Sequence, residues 1–282
     1  MMLAVENKHP LWYTTGILQI PGKEVQGHMM KIGLFDSGMG GLTLLAEALR
    51  QMPNAAYLYY ADTDHVPYGT RSRDEILTFT GQSIQFLIDQ GCQCIVIACN
   101  TATAVAAETL RARFDIPIVG IEPAVKSALA RHADRRVLVV ATPTTLREEK
   151  LHRLLDRFED HDAVDLKALP ELVPMAERED YDAMDYLRRE LADYPPERYS
   201  EIVLGCTHYN YFRDSFLRLF PDAEVIDGAE GTIHRMRSLL PEPADTRLGI
   251  VTYYRSGRLV DAPTELTAME RRLERLRRMR EL

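Results

Sequence analysis

Two segments in different halves of this chain share one pattern. Ile95-Val96-Ile97-Ala98 runs into Cys99-Asn100-Thr101-Ala102, and Ile202-Val203-Leu204-Gly205 runs into Cys206-Thr207-His208-Tyr209. A short β-branched, apolar run of this kind reads as a strand buried on both faces, as in parallel sheets covered by helices. Parallel strands cannot be joined by tight turns, so a chain containing them alternates strand and helix. In open sheets of this type the carboxyl ends of the strands open into a crevice where ligands bind. The pattern therefore constrains the fold and the setting of the two thiols together: each stands where a strand opens into a crevice.

The chain from Lys31 onward keeps to that alternation. Ile32–Phe35 reads as a strand entering the turn Asp36-Ser37-Gly38-Met39-Gly40-Gly41, and a helix follows to about Arg50 with Leu42, Leu45, Ala46 and Leu49 on one face. Ala56–Tyr60 is the next expected strand, and a helix carrying Ile76, Phe79, Ile84 and Leu87 precedes the Cys99 strand. A helix over Ala104–Phe114, a strand at Ile118–Ile121, a strand at Arg136–Val140, a loop at Ala141–Thr145 and a helix to Phe158 come next. Asp165–Leu169 is a further strand, with a polar-faced helix around Tyr181–Asp193. The Cys206 strand, a helix over Asp214–Phe220 and a strand at Glu224–Asp227 end the repeat.

The expected fold is α/β: two similar doubly wound parallel-sheet domains facing each other across a cleft. Residues 29–122 plus about 229–262 form the first domain and carry Cys99; residues 123–228 form the second and carry Cys206. Residues 1–28 lack periodicity and contain Pro10, Gly16, Pro21, Gly22 and Gly27, which suggests an N-terminal extension. Over 264–282, Leu266, Met269, Leu273, Leu276 and Met279 recur at spacings of three and four. Arg271, Arg272, Arg275, Arg277, Arg278 and Arg280 lie between them. This is an amphipathic helix with a basic face. Docking on its own domain or a dimer mate is the plainer use for it, and a polyanionic or membrane surface the other.

Bulk properties exclude several classes. The 34 basic and 42 acidic side chains give a net charge of −8, which argues against a nucleic-acid partner. No apolar stretch reaches the roughly 20 residues of a membrane span. Four cysteines in 282 residues do not make a disulfide scaffold, so a reducing, cytoplasmic setting is expected.

Several residue groups can carry chemistry, each with a plainer alternative. Glycines after a strand permit close backbone approach and lead into a helix N-terminus, although the same glycines serve packing. Asp36 and Ser37 put an acid and a hydroxyl at that strand end. A buried cysteine is often a small hydrophobe, which suits Cys92 and Cys94. A zinc site formed by these with Cys99 lacks the usual spacing and has no histidine nearby, so no metal is expected. For Cys99 and Cys206 the polar followers Asn100, Thr101 and Thr207 can tune a thiol toward proton transfer. His208 could exchange protons with Cys206 or simply lie on the surface. Thr142, Thr144 and Thr145 offer hydroxyls for a carboxylate, though a helix N-cap accounts for one or two of them. Pro67-Tyr68-Gly69 is turn chemistry first.

Taken in order, Phe35–Gly41, Ala61-Asp62 through Pro67-Tyr68-Gly69, Ala98–Ala102, Gly120–Ala124 and Leu204–Tyr209 resemble the glutamate racemases of the aspartate/glutamate racemase superfamily, from about Lys31 to about Arg237. The resemblance implies glutamate as substrate in a cleft between two α/β domains. It implies two-base racemisation without pyridoxal phosphate or any other cofactor, making D-glutamate for peptidoglycan, in an enzyme expected to be a homodimer. By position, Cys99 and Cys206 are then the acid–base thiols. Asp36 assists the first, and His208 and Glu177 assist the second. Ser37, Pro67, Tyr68, Gly69, Asn100, Thr101, Thr142, Thr144, Thr145 and Thr207, with Asp36 and His208, line the substrate site. The chain departs from the pattern at Asn210, where a proline is usual, and at Ala141 and Thr144, which replace glycines around Pro143. A relative acting on another amino acid or 2-substituted acid, and a non-enzymatic ligand- or partner-binding protein, are the alternatives.

Overall fold

The computed structural model describes residues 29–131, 135–158, 162–241 and 248–282. The expected N-terminal extension lies outside the described residues. Among the described residues ten strands form two sheets. The first contains β1 (Lys31–Asp36), β2 (Ala56–Ala61), β3 (Cys94–Ile97), β4 (Ile118–Gly120), β9 (Val251–Arg255) and β10 (Arg258–Leu259), in the order β10-β9-β2-β1-β3-β4. The second contains β5 (Arg136–Ala141), β6 (Val164–Ala168), β7 (Tyr199–Leu204) and β8 (Glu224–Asp227), in the order β6-β5-β7-β8. All pairings are parallel except β9 with β10.

Strand order decides where the crevices fall. Successive connections run to opposite sides of β1, placing β2 and β3 on either flank, so the first sheet reverses direction between β1 and β3. The second reverses between β5 and β7. Both are switch points, where flanking loops part and leave room at the carboxyl edge. Asp36 ends β1, Cys99 follows β3, Thr142 follows β5 and Cys206 follows β7.

Alternation along the strands sends their apolar residues to opposite layers. In the first sheet Ile32, Leu34, Tyr57, Tyr59 and Val96 pack with α1 (Leu42–Gln51). Phe35, Tyr60, Ile95 and Ile97 pack instead with α2 (Arg73–Asp89) and α3 (Asn100–Arg113). In the second sheet Val137, Val139 and Val203 meet α4 (Val125–Leu129) and α6 (Glu149–Leu155). Its other face, including Leu138, Val140, Ile202 and Leu204, joins the core that also holds α1, so one apolar cluster runs through both sheets.

Helix ends differ from the sequence expectation in informative places. The helix after Cys99 begins at Asn100, not Ala104, because the thiol itself caps it: Ala102 N donates to Cys99 Sγ at 3.4 Å. The expected loop at Ala141–Thr145 winds into α5 (Pro143–Arg147), with Thr142 capping it through Thr145 N at 3.2 Å and Pro143 in its first turn. The expected single helix to Phe158 breaks at Glu148, which is extended between α5 and α6. Between β6 and β7 lie α7 (Leu172–Glu177) and α8 (Met184–Glu190); α9 (Arg213–Leu219), α10 (Ala229–Ser238) and α11 (Pro263–Arg280) complete the set.

The chain passes from one sheet to the other after β4 and returns after β8. These two passages touch: a Cβ on Gly228 would fall on the backbone carbonyl oxygen of Glu122. Neither segment is a flexible side-chain tip that can give way. Gly228→Ala is therefore expected to cost about 2 kcal/mol, read as a lowered Tm; an unchanged Tm would show that the passages can separate freely.

Candidate active site

Asp36 is fully buried at the end of β1. Its carboxylate accepts from Gly38 N at 3.0 Å and from Thr207 Oγ1, in the turn that follows β7 of the other sheet, at 3.4 Å. Burial pushes its pKa up to about 6, against the pull of the His208 charge and the Gly38 and Gly41 amides. Ser37 Oγ lies 3.5 Å from Cys99 Sγ. Burial, and then the negative charge of Asp36, push the Cys99 thiol up to about 12, with Ser37 and Ala102 N acting the other way. At neutral pH Cys99 is thus held as a thiol.

Cys206 opens a 3-10 turn over Thr207–Phe212. His208 is buried, not on the surface, with Nδ1 3.9 Å from Cys206 Sγ and Nε2 2.6 Å from Glu177 Oε1. As an imidazolium His208 donates from Nε2 to Glu177, and the Gly40 amide lies 3.2 Å from the same nitrogen. Burial works to strip His208 of charge, but Cys206 and Glu177 outweigh it and hold the imidazolium well above the ordinary histidine range. Glu177 is only partly buried, and His208, the Met39 amide at 2.7 Å and Arg272 bring it below the usual range against the desolvation that raises it.

The glycine-rich turn meets this pair face to face. A Cβ on Gly38 would strike Glu177 Oε1 and one on Gly40 would strike the His208 ring, so these glycines permit close approach. Tyr59 donates to Gly38 O at 2.7 Å and Tyr211 to Met39 O at 2.9 Å, fixing the turn from both domains.

Three hydroxyls meet across the cleft. Thr101 Oγ1 lies 2.9 Å from Thr142 Oγ1 and 3.2 Å from Thr145 Oγ1, and Thr142 donates to Thr145 at 3.0 Å. Asn100 is buried, and both its amide atoms lack a hydrogen-bond partner among the described residues. A cavity of about 830 Å³ opens beside Asn100 and Thr145, between α3 and the α5–α6 region. Two of the substrate-site residues expected from sequence have their hydroxyls committed elsewhere. Thr144 Oγ1 donates to Gly69 O across the cleft at 2.8 Å, and Tyr68 donates to Asp62 at 2.6 Å. Pro67 leads into the short turn that carries Tyr68 and Gly69. Arg73 and Glu148 pair across the same rim. At the departures from the family pattern, Ala141 is buried at the end of β5, and Asn210 Nδ2 donates back to Thr207 O at 3.3 Å.

Sequence reasoning passed over Asp62, Tyr59, Tyr211 and Arg272. Asp62 stands in a quoted motif, but its partners His65, Tyr68 and Ser256 gave no spacing signal. The tyrosines and the arginine act through contacts distant in sequence.

Residues 38–236 match the family model described as Asp/Glu/Hydantoin racemase. A glutamate racemase of Lachnospira eligens is 46% identical over 265 residues, covering 90% of this chain and all of that protein. Among solved structures, glutamate racemase of Escherichia coli in complex with L-glutamate and the activator UDP-MurNAc-Ala superposes with a TM-score of 0.74 at 28% identity, covering 87% of this chain and 96% of that one. Glutamate racemase of Francisella tularensis in complex with D-glutamate gives a TM-score of 0.72 at 27% identity, covering 87% and 94%.

Proposed function

This chain belongs to the Asp/Glu/hydantoin racemase family, and from that premise we propose that it interconverts L- and D-glutamate using the thiols of Cys99 and Cys206, without a cofactor. The observation that carries the reading is the placement of one thiol at each of two switch points, with the buried Asp36 carboxylate close enough to act on Cys99. Asp36 is linked to one domain by its own strand and to the other by Thr207.

An α-proton is far less acidic than any side chain here, so the substrate carboxylate must be stabilised as negative charge develops on it. The Thr101, Thr142 and Thr145 hydroxyls and the unpartnered Asn100 amide are the donors available for that task. One sulfur, as thiolate, takes the proton from Cα. The thiol opposite delivers its own proton to the other face, inverting the centre and leaving the two sulfurs with exchanged protonation states. Burial and Asp36 favour the protonated form of Cys99 in the free enzyme, and His208 is placed to exchange a proton with Cys206. The α-ammonium of an incoming amino acid brings positive charge toward Asp36 and Cys99, opposing the upward shift of both. Both sulfurs are buried, so substrate entry requires the threonine contacts across the cleft to part, and reclosure keeps water out. The D-glutamate formed would serve peptidoglycan synthesis in a cytoplasmic enzyme that works as a homodimer.

Following the optical rotation of L-glutamate and L-aspartate in deuterated buffer, with no cofactor added, tests this reading. Glutamate should lose rotation while deuterium enters Cα. Rotation lost by aspartate alone would move the substrate assignment, and loss without deuterium incorporation would remove the two-base scheme.

A further inference from the structure

Much of the basic face of α11 is engaged by the rest of the chain. Arg271 pairs with Glu179 at 2.7 Å, Arg275 donates to Tyr211 O at 2.8 Å, and Arg280 pairs with Glu47 at 2.9 Å. Arg272 is buried, and its fork donates to two successive backbone carbonyls, Ala176 O at 2.9 Å and Glu177 O at 2.6 Å. Those carbonyls end α7, the six-residue helix whose last residue is Glu177.

The end of α7 needs such support. Its stop is a Schellman turn: Asp180 N donates to Met175 O at 2.9 Å and Glu179 N to Ala176 O at 3.1 Å. The left-handed position is usually glycine, but here it is Glu179, at φ 59°, which carries a conformational cost. The Glu179 carboxylate is held by Arg271 and lies 3.6 Å from Arg272. A short helix with a disfavoured cap residue is thus held from outside by two arginines of the C-terminal helix. α11 in turn rests on α1 of the other domain through Met269, Leu273 and Leu276, within the shared core.

We infer that Arg272 is a positioning residue: by gripping the last carbonyls of α7 it fixes where the Glu177 carboxylate meets His208 and the Met39 amide. The Arg272 fork is taken up by these backbone carbonyls, so it acts through Glu177. Its rigid fork suits two adjacent acceptors, whereas a lysine ammonium is a point donor on a flexible stem. The inference rests on the two-thiol reading for its catalytic consequence, but its structural half does not depend on that reading.

The test uses full-length Arg272→Met and Arg272→Lys proteins. The charged and titratable groups facing His208 are Glu177 from α7, Cys206 from its own turn and Asp36 from β1. Loosening Glu177 weakens one of the two influences that keep the imidazolium charged. The expected result for Arg272→Met is a kcat lowered roughly 10–100-fold with KM little changed. The pH limb belonging to His208 should move to lower pH, and Arg272→Lys should recover part of both effects. Adding Arg272→Met to Glu177→Gln should then cost little more, because the grip has lost its carboxylate. NMR of the His208 Nε2–H proton reads the same contact without turnover: its downfield resonance should shift or broaden in Arg272→Met. If Arg272→Met does not fold, the lysine variant carries the same readouts. An unmoved His208 resonance and pH limb, or an equal loss from Arg272→Met with and without Glu177→Gln, overturns the inference. A wild-type protein that leaves glutamate unchanged while the His208 resonance responds as expected would sink the racemase reading alone.

Discussion

Cys99→Ala and Cys206→Ala are each expected to lower kcat for glutamate racemisation by roughly 10³-fold or more while leaving the protein folded. Each sulfur is required once per turnover in either direction, as acid in one and as base in the other. Loss of one thiol therefore stops both directions equally and cannot be offset by substrate concentration. The folds should persist because alanine removes one atom from sites with polar surroundings. Cys99 caps α3 weakly through a 3.4 Å contact, and the Cys206 sulfur makes a long 3.9 Å contact to His208. The double variant should be barely worse than either single one, since the two thiols act as a unit. Deuterium exchange at Cα adds a finer reading. A variant that still exchanges the α-proton of one enantiomer without inverting it would retain the thiol on that face, and the two variants should differ in which enantiomer they exchange. Either variant racemising at near the wild-type rate would remove its cysteine from the mechanism.

Asp36→Asn is expected to act on activity and stability in opposite directions. The carboxyl pKa is raised from 3.8 to about 6 in the folded protein, chiefly by burial. The folded state therefore binds the proton more tightly than the unfolded chain, and stability falls as pH rises through that interval. This stability is fully present below about pH 4 and is lost by the time pH has passed about 6. A shift of this size corresponds to about 3 kcal/mol at most. Asparagine stays neutral, and its side-chain oxygen can still accept from Gly38 N. At pH 8 the variant should be more stable than wild type by about 2 kcal/mol, and the difference should vanish near pH 4. Removing the charge that acts on Cys99 should lower kcat/KM by roughly 10²-fold. Thermal melts of both proteins from pH 4 to pH 8 check the first half. Parallel melting curves at every pH would show that Asp36 is not held under strain, and unchanged turnover would detach it from the chemistry.

The placement of the two cysteines was legible in the chain because buried parallel strands write themselves as continuous apolar runs, and a polar residue interrupting such a run marks a strand end. The glycine turn after β1 was legible for a related reason. Gly38 and Gly40 leave room for other atoms, and glycine is the residue type that announces close approach. Helix starts were less legible. The periodicity of α3 suggested Ala104, but a thiol can replace the hydroxyl or carboxylate that usually signals an N-cap. Thr142 could be named as a cap or as a ligand group, and the structure shows it capping α5 while also meeting Thr101 across the cleft.

Glu177 marks the limit of sequence reading. It is one of 42 acidic residues, and nothing in its spacing separates it from the others. The fold singles it out by bringing α7 against the glycine turn and the His208 ring. The arginines of α11 are a second instance, since their spacing describes a basic face and leaves open what that face meets. Local sequence thus determined the α/β alternation, the strand ends and the two thiols, because apolar period and turn chemistry act over a few residues. Tertiary structure alone decided which acid pairs with His208, which hydroxyls meet across the cleft and where Arg272 closes its fork. Those contacts join residues far apart in sequence, and their strength depends on burial that only the assembled core supplies.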